Sequence, residues 1–381
     1  MPDPRLTIGF LRRGYSRTGG VEAYLKGLAA GLLHRGHCPV LFGTSEWPVE
    51  DWPGGVVVRC PSGGLGAYAA GVAAHKRTPE GRCDLVLSVE KVGGCDLYRT
   101  DEGVHAAWLD QRARFLPLPA RIFQRLSPRH REKLREEKGL FSPQSTRRVI
   151  SLSEKITGEI VRYYGYPEER ITLIRNGVLA RGVASPEEKA GARKKLGLSG
   201  NARIVLFVGT GWERKGLLHA IRTVASLEDP NILLLVAGEG NPARYAHPSA
   251  RFLGAVKDMG SVYAASDILL FPTLFDPFPL AAMEALGAGL PVLTTSANGV
   301  SEIMTPGIHG EIVSRPDDVS AFRRHLGEWL GRLEDPAGAA VIRNACLTLA
   351  SAYTLERNLA ETLVAMEEVL EEKRGARERL P

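Results

Sequence analysis

Cysteine is scarce, with five residues at 38, 60, 83, 95 and 346, and no two of them stand at metal-ligand spacing. That argues against a disulfide framework or a zinc module and fits reduced thiols in a cytoplasmic protein. No run approaches the ~20 apolar residues that would cross a bilayer. The opening "MPDPRLTIGF" has no basic segment followed by a long apolar stretch, so a secretory signal is not expected. Neither glycine loop carries G-x-G-x-x-G, which argues against a nicotinamide-dependent dehydrogenase, and no G-x-x-x-x-G-K-[ST] occurs. Aromatic residues do not interleave with the bases as they would in a nucleic-acid platform, so no nucleic-acid partner is expected.

What is present is an ordinary globular balance, 44% apolar and 24% charged, in 381 residues. That length exceeds one common core and predicts two domains. "RLTIGFL" (5–11) reads as a buried strand, "RRGYSRTGG" as a loop, and "VEAYLKGLAAGLLHRG" as a helix. The helix carries Leu25, Leu28, Leu32 and Leu33 at helical spacing and is capped by Gly36. "CPVLFG" then completes a parallel βαβ unit. Strands recur at "DLVLSV" (84–89) and "RRVISLS" (147–153). From 203 the pattern restarts, with "ARIVLFVG" a strand, "TGWERKG" a loop and "LLHAIRTVASL" a helix. "NILLLVAGEG", "RFLGAV", "DILLFPT" and "PVLTT" follow as further strands. Two doubly wound α/β halves are expected, divided within 170–200, with a final helical region over 338–374 packing back across the first.

Three stretches carry candidate chemistry. Gly19 and Gly20 precede a helix start, where amides and the helix dipole attract phosphate. "GTGWERKG", beginning at Gly209, places Arg214 and Lys215 beyond a strand's carboxyl end, where a fork and a point charge suit a diphosphate. "FDPFPLAAMEALGAG" (275–289) sets Asp276 at a loop tip and Glu284 inside a helix that Pro279 would begin. Carboxylates accept several hydrogen bonds from sugar hydroxyls. Taken singly, these acids would be a turn-former and a solvated helix residue. Beside the basic loop they form a candidate site.

The segment 275–289, with "FVGTGWERKGLLHAI", "LLVAGEGN" and "NGVSEIM", resembles the E-x7-E signature region of the retaining GT-B glycosyltransferases of family 4. "GGVEAYLKGLAAGLLHRGH" and "VISLSEKITGEIV…ITLIRNGV" resemble that family's N-terminal helix and its entry to the second domain. The resemblance implies a GT-B fold, two Rossmann-like doubly wound domains facing across a cleft. Residues 1–175 would bind acceptor, with a helix at about 355–381 packing back on them, and 176–354 would bind a nucleotide sugar. Glu284 would bond the donor's ribose and Asp276 the donor sugar. Arg214 and Lys215 would hold the diphosphate, with amides of Phe278, Leu280 and Ala281 and the glycines 19, 20 and 209. The sequence departs from the pattern at the first acid, which is Asp, and at Pro277 and Pro279, which have no N–H to offer.

"CDLYRTDEGVHAAWL" (95–109) resembles a loop of enzymes that glycosylate the lipopolysaccharide inner core, and would place Asp101 and His105 near the reacting sugar. The implied reaction moves a hexose, glucose from UDP-glucose, to a core heptose. No Asp-x-Asp occurs, and no metal is expected. Residues 112–148 hold eleven Lys and Arg against acids at 132, 136 and 137, a surplus larger than the whole chain's +6. With "FLPLPARIF" beside them they predict contact with an anionic inner-membrane surface and a phosphorylated glycolipid acceptor, rather than a solvated face. Two alternatives stand beside this reading: a family 4 enzyme for another polysaccharide or lipid acceptor, and a non-catalytic nucleotide-sugar-binding protein of the same fold.

Overall fold

Parallel strand pairing organises both halves of the chain. The computed structural model describes residues 5–16, 20–79 and 81–378. The chain divides into two units. One runs to Arg175 and takes in the chain from Glu356; the other is Asn176–Leu355.

In the first unit the elements are β1 (Thr7–Leu11), α1 (Gly20–His34), β2 (Cys38–Gly43), β3 (Val57–Arg59), α2 (Gly64–His75), β4 (Leu85–Ser88), β5 (Cys95–Arg99), α3 (His105–Ala113), α4 (Leu118–Leu126), α5 (Pro128–Leu140), β6 (Thr146–Ser151), α6 (Glu154–Tyr164) and β7 (Ile171–Leu173). The strands pair in parallel in the order β3-β2-β1-β4-β5-β6-β7, with Thr7 opposite Cys38 and Ile8 opposite Leu85. The order reverses between β1 and β4, where an open parallel sheet leaves a crevice at the carboxyl ends of its strands. Ile8, Phe10, Leu85, Leu87, Val149 and Ile150 are buried, and strands covered on both faces read as unbroken apolar runs.

In the second unit the elements are α7 (Pro186–Lys195), β8 (Arg203–Val208), α8 (Trp212–Lys215), α9 (Leu217–Ala225), β9 (Ile232–Ala237), β10 (Ala250–Gly254), α10 (Met259–Ala265), β11 (Ile268–Phe271), α11 (Leu280–Gly287), β12 (Val292–Thr295), β13 (Gly310–Val313), α12 (Val319–Arg332) and α13 (Pro336–Ser351). Its sheet is also parallel, in the order β10-β9-β8-β11-β12-β13, and reverses between β8 and β11. Ser185 and Glu188 form a reciprocal capping box that starts α7.

Several local expectations are corrected. The helical region over 338–374 is two helices, α13 and α14 (Leu355–Glu378). The break falls where Tyr353 O accepts from Val178 N at 2.9 Å and Thr354 bridges to Val178, a strand-like use of the backbone that a helix cannot offer. α13 packs on α11 in the second unit. Only α14 serves the first unit, through Arg148 to Glu368 (3.1 Å) and Glu372 (2.7 Å) and through Lys373 to Asp96 (2.9 Å). The stretch 95–109 is a strand, a turn and a helix rather than a loop. "TGWERKG" contains a single helical turn. The cap expected at Gly36 is present: at φ +85° its N–H donates to Leu33 O and that of His37 to Leu32 O, each at 3.0 Å, although Leu33 itself is 44% exposed. Pro279 is the cap of α11 and Leu280 its first residue.

Candidate active site

In the second unit two loops leave the carboxyl ends of β8 and β11 side by side. Arg214 O accepts from Leu274 N at 2.8 Å and from Thr273 Oγ1 at 3.1 Å, which stitches the loops together through main chain. Across that seam Lys215 Nζ lies 3.1 Å from Asp276 Oδ2, and Arg214 Nη2 lies 3.9 Å from the same oxygen. Lys215 and Asp276 keep only 13% and 8% of their side-chain surface, whereas Arg214 keeps 34%. A side chain at Gly209 (φ +131°) would meet the Cδ and Cε of Lys215 at 2.7 Å, so glycine there lets the lysine stem lie along the backbone. An ammonium has three donors, and Asp276 takes one.

The segment 275–281 is pinned from three directions. Asp276 N donates to Ala297 O at 3.1 Å, and Arg214 Nη1 donates to Phe275 O at 3.4 Å. Asn176 Nδ2 donates to Phe278 O at 2.9 Å. Behind Ala297, the buried Asn298 accepts from Val300 N and Ser301 N and donates to Thr294 Oγ1 and Thr295 O. The amides of Leu280 and Ala281 open α11, where a helix leaves its first N–H groups unpaired within itself. Glu284 sits in the next turn, and Tyr263 of α10 donates to its Oε2 at 2.7 Å. Burial lifts the Glu284 carboxyl above its usual range, against the Tyr263 hydrogen bond and the Arg181 charge. One loop and helix thus present two acids and two cations, a set suited to a polyol joined to an anion. Asn176, Tyr263 and Asn298 were missed by sequence reasoning. Their signals were "IRNGV" and "NGVSEIM", motifs to which no contact could be attached, and for Tyr263 none.

In the first unit, Arg12, at the end of β1, donates to Glu22 (2.9 and 3.2 Å) and Glu90 (3.2 Å). Beyond β5, Asp101 is ion-paired with Arg99 and keeps a buried Oδ2 with no hydrogen-bond partner among the described residues. Burial raises its carboxyl, against the charges of Arg99 and Arg12. His105 begins α3 and sets its Nε2 3.1 Å from His130 Nδ1. Glu137 of α5 is fully buried. It accepts from His105 N, Ala106 N (3.2 Å) and Tyr164 OH, and pairs with Lys91. A carboxylate at a helix N-terminus answers its orphan amides and its dipole. Glu137 therefore fastens α5 to α3 and α6. Gly20 is the exposed first residue of α1, and Gly19 lies outside the described residues.

Residues 18–179 match the family described as Glycosyltransferase Family 4, and residues 202–332 match that described as Glycosyl transferases group 1. Matches of this kind on each of two parallel sheets decide the family. The chain belongs to the GT-B glycosyltransferases. It is 25% identical over 337 residues to the lipopolysaccharide glucosyltransferase WaaG of Escherichia coli K12, covering 82% of this chain and 86% of that one. It is 25% identical over 390 residues to a probable transglycosylase of Burkholderia thailandensis, covering 98% and 100%. Among solved structures, WaaG superposes with a TM-score of 0.80 at 22% identity over 94% of this chain and 99% of that one. Anabaena HepE in complex with UDP-glucose gives 0.70 at 19% identity over 95% and 100%.

In this glycosyltransferase, burial, followed by the charges of Lys91 and Lys133, pushes His105 down to about 3 from the ordinary 6.5. Between those values the unfolded chain binds more protons than the folded one, so the ring's contribution is complete above about 6.5 and is lost as pH falls toward 3. Thermal melts across that window should record the loss, and His105→Phe should flatten part of the slope. An unchanged slope in the variant would mean that the ring titrates freely.

Proposed function

We propose that this glycosyltransferase moves a hexose, glucose from UDP-glucose, to a heptose of the lipopolysaccharide inner core, with retention at the anomeric carbon. The reading is carried by the arrangement of Lys215, Asp276 and Glu284 about one loop and helix at the switch point between β8 and β11. The match along most of its length to a lipopolysaccharide glucosyltransferase supports the donor and acceptor.

Glu284 accepts from the ribose hydroxyls, and Asp276 faces the hydroxyls of the donor sugar. Lys215 and Arg214 take the diphosphate, helped by amides of Phe278, Leu280 and Ala281 and by Gly209, along which the lysine stem lies. The acceptor oxygen bonds to the anomeric carbon on the face from which the diphosphate leaves. The bond from that carbon to the phosphate oxygen breaks, UDP departs with the electron pair, and a phosphate oxygen receives the acceptor's proton. No enzyme nucleophile is needed. Asp101 and the neutral His105 are assigned to hydrogen bonds with the reacting sugars. Charge on the leaving group is met by fixed cations and amides, and no divalent metal is invoked.

No described helix is long and apolar enough to cross a membrane. α4 is turned inside out for a surface helix: its buried residue is Gln124, which donates to Leu109 O at 2.9 Å. Leu118, Ile122, Phe123 and Leu126 are 72%, 57%, 75% and 55% exposed, with Arg121 and Arg125 among them. We assign this face, with the basic α5, to the cytoplasmic leaflet of the membrane that presents the phosphorylated glycolipid acceptor.

The test is purified enzyme with UDP-glucose, UDP-galactose and GDP-mannose against heptose-terminated lipopolysaccharide, with and without excess EDTA. Expected are a preference for UDP-glucose, an α-linked product by NMR and full turnover in EDTA. Loss of turnover in EDTA would overturn the metal-free mechanism. Transfer only to a different acceptor would replace the lipopolysaccharide assignment.

A further inference from the structure

α8 is four residues long, with Gly211 before it at φ +69° and Gly216 after it at φ +79°. A single turn between two left-handed glycines has no stability of its own, because helix nucleation is unfavourable. It must be held from outside, yet it carries Lys215. Its buried residue is Trp212, 5% exposed. The indole Nε1–H donates to Gly209 O at 2.9 Å, back across the same turn. The ring meets Tyr245 edge-on at 5.5 Å and Phe252 of β10 at 5.4 Å. At Gly240, beyond β9, a Cβ would come within 2.5 Å of the ring, so that loop lies flat against it.

We propose that Trp212 is the positioning residue of the donor site. Its indole wedges the β8 turn against the loops after β9 and before β10, and so fixes the Lys215 ammonium, one turn on along the same helix face, beside Asp276. This rests on the donor-site reading above. Misplacing a charged group by about 1 Å costs on the order of a hundredfold in rate.

The experiment measures UDP affinity by calorimetry, steady-state kinetics in both substrates and thermal melts for Trp212→Phe, Trp212→Ala, Gly240→Ala and the Trp212→Ala/Gly240→Ala pair. Trp212→Ala should weaken UDP binding and lower kcat, each by about ten- to a hundredfold, leaving the KM for acceptor unchanged. Trp212→Phe keeps a ring but loses the N–H and should fall between. Gly240→Ala drives a methyl into the ring and should weaken UDP binding by itself. In the paired variant the vacated slot accepts that methyl, so it should be no worse than Trp212→Ala. Folded variants with wild-type UDP affinity and kcat would overturn the proposal, as would losses that multiply in the pair. If Trp212→Ala fails to fold, Trp212→Phe and Gly240→Ala decide it by the same readings. If the wild-type enzyme binds no UDP, the donor-site reading fails, and this inference with it.

Discussion

Lys215→Met lowers kcat for sugar transfer about a hundred- to a thousandfold, on the order of 3–4 kcal/mol of transition-state stabilisation. The magnitude follows from burial and aim. The side chain keeps 13% of its surface, its ammonium stands 3.1 Å from Asp276, and it lies beyond the carboxyl end of a central strand. Charge in such a place acts through less solvent than one on the surface and needs no reorganisation when a diphosphate departs. Arg214 is a third exposed and 3.9 Å from the same carboxylate, so it compensates only in part. Methionine keeps an apolar stem beside Gly209 and the Phe271 ring. The variant also strands a buried carboxylate, and breaking such a pair destabilises by about 3–5 kcal/mol. Adding Asp276→Asn should therefore restore the melting temperature without restoring turnover. Kinetics and melts on the single and double variants check both halves. Activity within a few-fold of wild type in either variant would remove Lys215 from the chemistry.

Replacing Ile122 and Phe123 together by aspartate reduces partition onto phosphatidylglycerol vesicles by more than about a hundredfold, because each side chain contributes about 1.5–3 kcal/mol when it leaves water. Both are more than half exposed on α4, and Arg121 and Arg125 on either side add about 1 kcal/mol each near an anionic leaflet. Vesicle sedimentation should show the loss, with UDP affinity unchanged. Neutral phosphatidylcholine vesicles should bind the wild-type chain less, and added salt should weaken the anionic arm alone. Equal sedimentation of variant and wild type would overturn the assignment of this helix to a membrane surface.

The twin parallel sheets were legible because buried strands such as "ARIVLFVG" and "DILLFPT" are continuous apolar runs between amphipathic stretches. The meeting of Arg214, Lys215 and Asp276 could be anticipated for the same reason: loops at the carboxyl ends of neighbouring strands must converge. What escaped depended on distant partners. Trp212 looked like one more residue in a basic turn until Tyr245, Phe252 and Gly240 closed around it. The break between α13 and α14 has no strong local breaker; it depends on Val178, far away in the chain. β5 was read as loop because "CDLYR" mixes charge with apolar residues, as a strand with polar neighbours can. Glu137 was counted as one of three acids offsetting many bases, since nothing nearby in sequence marks it as buried.

That last carboxylate divides α5 into two regimes. Its outward arginines Arg129, Arg131 and Arg135 are exposed and can be exchanged for other polar residues with little consequence for the fold. Glu137 is stitched to a lysine, a tyrosine and the first amides of α3. The electrostatic character of this helix can therefore drift widely among sequences while the latch under it, and the placement of His105 that depends on it, stays put.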